Sequence, residues 1–445
     1  MDDAHFLSAS DAAQAIDNGE LTSDELVRAC LDHIVDVEDT IQAWAHIDPN
    51  MALAQASELD EWRRLGHPLG PLHGVPIGIK DIIDSAGLPC EFGTEIHAGR
   101  KPEQDATLVG LLREAGAVIM GKTVTAELAV LTPGKTHNPH NPDHTPGGSS
   151  SGSAASVAAG MVPLAVGTQT NGSMIRPASY CGVYGFKPSY GRISRHGVLQ
   201  QSHILDTIGV YGRSIDDIAL IADVLMTFDA QDPDMRPIAR PQVAKILAEE
   251  PPMPPRLAFI RTPAWEQADD STKEAFRELI DHLNEGDETI DLLELSEQFD
   301  DVYDVHRRIM LSGLAKNFAR EYSDSKDKLS ALLCEMIEEG QGVSESDYIN
   351  DVERIEEYNT ILDLIFEDYD AALTPSTTGE APVGLESTGS PIFCTIWTLC
   401  GTPAINLPIL QGPNGLPLGV QMVSHKGDDA RLLRTAKWLM QRLES

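Results

Sequence analysis

Three stretches of this chain bring together residue types that do chemistry on a carbonyl. The first, Thr145-Pro-Gly-Gly-Ser-Ser-Ser-Gly-Ser-Ala-Ala-Ser-Val-Ala-Ala-Gly160, reads as a backbone-exposing loop that feeds a helix of small residues. The second, Gly167-Thr-Gln-Thr-Asn-Gly-Ser-Met-Ile-Arg-Pro177, is another glycine-containing loop with a serine at its apex. The third, His73-Gly-Val-Pro-Ile-Gly-Ile-Lys-Asp81, alternates β-branched residues with glycine and delivers Lys80 at the tip of a short buried strand. A serine hydroxyl is a weak nucleophile and needs a base. No Gly-x-Ser-x-Gly elbow with a suitably placed histidine is present, which leaves Lys80 and the serines of the two loops. A lysine is a base only when neutral, so burial must lower its pKa. Taken alone, the stretch also fits a strand-end lysine in solvent. No Gly-Lys-Ser/Thr closes the first loop, so it is not a nucleotide P-loop. Apolar sequence on both sides argues against a flexible linker.

These stretches sit in a chain of 445 residues with 42% apolar residues and a formal net charge of −36. That charge argues against a nucleic-acid surface, which needs Lys and Arg to replace counterions, and it favours solubility. Cysteines at 30, 90, 181, 334, 394 and 400 follow no metal-ligand or disulfide-framework spacing, so they are expected reduced and buried. The start, Met-Asp-Asp, has no basic n-region, and no apolar run is long enough to span a bilayer, so a cytoplasmic protein without a membrane partner is expected.

The elements that must position the three stretches follow in order. Residues 1–65 read as a helical arm: Ser10 caps a first helix ending near Gly19, and Thr22-Ser-Asp-Glu25 is a capping box before a helix with Leu26, Cys30, Ile34 and Val37 on one face. A helix over 105–115 stops at Gly116, and a strand follows at 117–120. This helix–strand order signals an α/β layer fold. Strands are also predicted at 162–166, 257–260, 371–375, 403–409 and 415–423. Helices are predicted at 272–283, at about 346–367 (Ile349, Val352, Ile355, Leu362 and Ile365 apolar) and at 428–443. The expected organisation is one α/β/α domain with a large mixed sheet and helices on both faces. Residues 66–215 form its catalytic core, 216–370 a helical region shaping the pocket, and 371–445 the returning strands and closing helix.

Gly-Ile-Lys-Asp81, Pro-Gly-Gly-Ser-Ser-Ser-Gly-Ser153, Gly-Thr-Gln-Thr-Asn-Gly-Ser173 and Cys-Gly-Val-Tyr-Gly-Phe-Lys-Pro188, in this order, resemble the amidase signature family. The likeness runs through roughly 20–215 and resumes at 371–443, where Gly-Leu-Pro-Leu-Gly-Val-Gln421 is similar to the family's closing segment. The resemblance implies a Ser–cis-Ser–Lys triad: Ser173 as nucleophile, Ser149 as bridging serine after a cis peptide bond, and Lys80 as base. Ser149 and Ser173 lie 24 residues apart, as the family spacing requires. Backbone N–H groups of Thr170, Asn171, Gly172 and Ser173 suit an oxyanion hole. The implied reaction is acyl transfer from an amide to water, with no metal or organic cofactor and with a small-molecule amide and water as the partners.

Two departures bear on substrate. Gln169 stands where many members have Asp, and Asn171-Gly172 where many have two glycines. Arg176 lies at +3 from Ser173 where many members have arginine at +2. This form resembles the branch that hydrolyses small amides, ureas and carbamates, and Arg176 is expected either to fork onto a substrate carboxylate or to pair with a nearby Asp. Trp397 and Phe393 are expected as apolar walls of an acyl pocket. Cys394 and Cys400 read as pocket wall, and His137, His140 and His144 as a loop rim with no standard metal spacing. The favoured reading is an amidohydrolase of small amides, ureas or carbamates. A glutaminase-type subunit serving a tRNA-charging partner is the second, with net charge and the Arg176 register against it. A non-catalytic scaffold is the third. A homodimer is common for such folds and stays open here.

Overall fold

Aliphatic and β-branched runs bounded by glycine and proline give the strands β1 (Trp44–Ile47), β2 (Pro76–Lys80), β3 (Val118–Thr123), β4 (Leu164–Gln169), β5 (Tyr184–Lys187), β6 (Thr207–Gly212), β7 (Leu257–Arg261), β8 (Asp291–Glu294), β9 (Ala371–Pro375), β10 (Ala404–Gln411) and β11 (Pro417–Val423). A computed structural model describes residues 3–285 and 289–444. All eleven strands join one sheet in the order β1-β3-β2-β4-β6-β5-β10-β11-β9-β7-β8. The sheet is mixed: β3, β2 and β4 run parallel, as do β9, β7 and β8, and the remaining neighbours are antiparallel.

Successive side chains of a strand point to opposite faces, and the two cores follow that alternation. Val118, Met120 and Ala165 join a cluster with the helices Ser23–Ile41, Pro49–Arg64 and Ser151–Ala158. Ile119, Leu164 and Val166 join the larger cluster on the other face, with Thr107–Glu114, Ile215–Leu225, Val302–Asn317 and Asp429–Leu443. The sheet is therefore covered by helices on both faces, as the sequence predicts.

Local signals account for most element ends. Thr22 and Glu25 form the predicted capping box, and Gly116 takes φ +86° after the helix Thr107–Glu114. Elsewhere the structure differs from expectation. The first helix, Ala9–Asn18, is capped by Ser8, which accepts from the Asp11 N–H, whereas Ser10 bonds Asp217 through its N–H and its hydroxyl. The arm is not wholly helical, because Trp44–Ile47 adds an antiparallel edge strand to β3. In the helix Glu345–Asp368 the buried residues are Asp351, Tyr358 and Leu362, and Ile349 is 49% exposed. The six cysteines are all buried free thiols.

Candidate active site

The site forms where the carboxyl end of β2, the loop before helix Ser151–Ala158 and the loop after β4 converge. Lys80 ends β2 and is fully buried. Its Nζ donates to Ser149 Oγ at 2.9 Å and to Thr168 Oγ1 at 2.7 Å. Removal from water holds the Lys80 amine well below its ordinary pKa. The negative charge of Asp206 opposes that effect and the positive charge of Arg176 adds to it.

Ser149 follows a cis peptide bond from Gly148, as the resemblance implies. Gly147 precedes it at φ +82°, a conformation that only glycine adopts freely. Three residues on, helix Ser151–Ala158 packs so closely that a Cβ on Gly152 would lie 2.2 Å from the Ala43 carbonyl oxygen and 2.4 Å from the Val124 nitrogen. The small residues of the serine-rich stretch are thus a steric requirement of the close approach that fixes Ser149.

The loop after β4 is held from several sides. The Gln169 side-chain carbonyl accepts the N–H groups of Met174 (2.8 Å) and Ile175 (3.1 Å), and its amide donates to Thr398 Oγ1 (2.9 Å). Thr398 Oγ1 donates to the Asn171 carbonyl, and Thr395 Oγ1 donates to Asn171 Oδ1 at 2.8 Å. His306 Nε2 meets the Thr170 carbonyl at 3.0 Å. Since a carbonyl only accepts, that nitrogen carries the proton, and burial pushes the ring down to about 4, so it stays neutral. Tyr211 donates to the carbonyls of Ser173 and Met174. Among the described residues no protein acceptor takes the N–H groups of Asn171, Gly172 or Ser173. These residues, with Thr170, line a cavity of about 290 Å³ that Arg307, Met310, Met336, Glu386 and Thr388 also border.

The sequence matches the Amidase family over residues 25–433. It is 34% identical over 472 residues to a glutamyl-tRNA(Gln) amidotransferase subunit of Chloroflexus aggregans, covering 98% of this chain and 96% of that one. The chain belongs to the amidase signature family. Solved structures of the same family agree. Peptide amidase from Stenotrophomonas maltophilia superposes with a TM-score of 0.87 at 28% identity, covering 99% of this chain and 97% of that one. The 6-aminohexanoate cyclic dimer hydrolase in complex with its substrate gives a TM-score of 0.87 at 26% identity, covering 99% and 98%.

Within this amidase fold, four residues expected to meet substrate have other surroundings. Arg176 borders the cavity but is 1% exposed. Its guanidinium donates to the carbonyls of Gly148 (2.7 Å) and Gly389 (2.8 Å), so it neither opens as a fork toward substrate nor pairs with an Asp. Gln169 is spent on bracing the loop. Trp397 is fully buried in the main core, and Phe393 packs with Ala264 and Ala268, so neither lines the cavity beside Ser173. The rings of His137, His140 and His144 bond the carbonyls of Pro142, Cys181 and Ala381. Among the described residues no cluster of His, Cys, Asp or Glu is arranged to hold a metal, and no helix is long and apolar enough to cross a membrane. Sequence reasoning missed Asp206, His306, Arg307, Thr395 and Thr398. Each sits outside the recognisable motifs and reaches the site only through the tertiary fold.

Proposed function

We propose that this chain is a serine amidohydrolase that opens the C–N bond of a small amide carrying a carboxylate, with Ser173 as nucleophile and Ser149 and Lys80 as the proton relay. The observation that carries the reading is the 2.9 Å contact between a dry, neutral-leaning Lys80 amine and Ser149 Oγ. Ser173 Oγ attacks the amide carbonyl while its proton passes to Ser149, whose own proton passes to Lys80. The unspent N–H groups of Asn171, Gly172 and Ser173 take the negative charge that develops on the carbonyl oxygen. Return of the proton through Ser149 to the leaving nitrogen frees ammonia or an amine and leaves an acyl-Ser173 ester. Water attacks that ester along the same relay and releases the acid. No step calls for a metal or organic cofactor.

Charge at the cavity argues for the substrate class. Arg307 places Nε and one Nη on Glu339 (2.9 and 2.5 Å), which leaves its other Nη for a ligand carboxylate, and Glu386 offers an opposite charge on the same cavity. This pairing suits an amino-acid amide. The name of the Chloroflexus relative makes the side-chain amide of glutamine the first substrate to try. The Arg176 register gives no argument against that reading, because its guanidinium is committed to two backbone carbonyls. A second reading, hydrolysis of small neutral amides, ureas or carbamates by a stand-alone enzyme, rests on the Thr168-Gln-Thr…Ile-Arg-Pro177 form.

The test is ammonia and amine release from glutamine, other small amides, ureas and carbamates, with Ser173→Ala beside the parent. Release by the parent alone, greatest from anionic amides, supports the proposal. A preference for neutral ureas or carbamates selects the second reading. Equal release by Ser173→Ala removes Ser173 as the nucleophile. Glutamine turnover that needs an added protein makes the chain one component of a larger enzyme.

A further inference from the structure

Lys80 has a second polar neighbour besides the serine relay, the Thr168 hydroxyl. The cavity that holds Ser173 includes neither Lys80 nor Ser149 in its lining. A separate cavity of about 310 Å³ is lined by Thr168, Thr170, Gln201 and Asp206, with Arg195 and the half-exposed His203. The two cavities share Thr170 and Gln201 as a common wall. Thr168 links them to the base, since its hydroxyl accepts from Lys80 Nζ at 2.7 Å and also lines the second cavity.

Asp206 is the acid of that wall. One carboxylate oxygen accepts from Thr170 Oγ1 at 2.7 Å, and the other accepts the N–H groups of Gln201 (2.8 Å) and Ser202 (3.1 Å). It is therefore bonded to the loop that carries the nucleophile and lines the same cavity as Thr168, whose hydroxyl accepts from the base. The other charges nearby are largely committed. Arg195 pairs with Asp232 and Asp234, Lys122 lies 3.7 Å from Asp81, and Arg176 is clamped to its two carbonyls. Among the described residues Asp206 is the carboxylate whose charge acts on the Lys80 amine, and burial pushes its own carboxyl up to about 6.

We propose that Asp206 is a positioning residue for the hydrolysis, setting from the wall of the second cavity when Lys80 holds its proton and fixing Thr170 in the nucleophile loop. The proposal rests on the reading of Lys80 as the base. An ionised Asp206 favours the ammonium form of Lys80 and thereby raises the pH at which the base becomes available. Because Asp206 lies outside the substrate cavity, it acts on the base without touching the substrate.

The experiment begins with Lys80→Ala and Ser173→Ala on a substrate the parent turns over. If either keeps turnover, the base reading itself fails. With both inactive, Asp206→Asn is expected to move the acid limb of kcat/KM to lower pH at unchanged KM, and Asp206→Glu to return the limb toward the parent's position. Thr168→Val, which keeps a β-branched side chain in β4 and removes the hydroxyl that accepts from Lys80, is expected to move the limb in the same direction. Should Asp206→Asn not fold, Asp206→Ser, which also removes the charge, is read in its place. A limb that stays in place in the folded variants, with kcat lowered equally at every pH, overturns the proposal. So does a rise in KM without movement of the limb.

Discussion

Replacing Arg176 separates two accounts of this site. Its guanidinium holds the carbonyls of Gly148 and Gly389, and the Gly148 carbonyl belongs to the peptide that sets Ser149. In Arg176→Met the stem is kept and both donors are lost. A buried carbonyl at Gly148 and a part-buried one at Gly389, left without this partner, cost up to about 1–3 kcal/mol each. Removing a buried cation that has no carboxylate partner offsets several kcal/mol of desolvation. The net change in stability is then small, within about 3 kcal/mol, which for a chain of this length moves Tm by only about 3 °C. Catalysis is far less tolerant, because displacement of a reacting group by about 1 Å costs on the order of 10²-fold. The expected result is a kcat lowered about 100-fold with KM nearly unchanged, on anionic and neutral substrates alike. Thermal unfolding together with separate kcat and KM values on a carboxylate-bearing amide and its neutral analogue reads this out. A kcat that survives while KM rises only for the anionic substrate would place Arg176 on the substrate and refute the reasoning.

Further outcomes follow from the same geometry. Because burial holds the Lys80 amine below its ordinary range, kcat/KM should climb as pH rises through the folded-state pKa of Lys80 and then level off. A profile that is flat or falls from pH 6 to 9 in folded protein contradicts this. Thr398→Val removes the hydroxyl that braces Asn171 and accepts from Gln169, and should lower kcat by about tenfold or more through a loosened oxyanion loop, measured at saturating substrate. With 69 Asp and Glu against 33 Lys and Arg, self-repulsion should ease as the Debye length falls from about 10 Å at 0.1 M salt to about 3 Å at 1 M, so Tm should rise with KCl. An unchanged Tm tells against that electrostatic argument.

Much of the fold was legible because its signals are local. The capping box at Thr22, the glycine stop at 116 and the aliphatic run of β9 each act within a few residues, and the structure puts elements there. Trp44–Ile47 was hidden because a four-residue edge strand gains its partners only from β3, some 75 residues away. Ser10 looked like a cap by residue type, yet Ser8 has the extended backbone and Ser10 is drawn to Asp217 by tertiary packing. The motif-bearing loops point to Lys80, Ser149 and Ser173 through their resemblance to the family. Their supports, Thr395 and Thr398 on Asn171 and His306 on Thr170, join positions more than 130 residues apart and leave no pattern in a single sequence. Arg176 is misleading for the same reason, since a buried arginine held only by two backbone carbonyls leaves no partner side chain to read in the sequence.

The most direct measurement of the central claim is acid-quenched mass spectrometry of the parent and Ser173→Ala during turnover of a slowly deacylating ester or amide substrate. The account predicts an acyl adduct on the peptide containing Ser173 in the parent, its build-up slowed in Lys80→Ala, and none in Ser173→Ala. An adduct on another residue, or turnover by Ser173→Ala at the parent's rate, would contradict it.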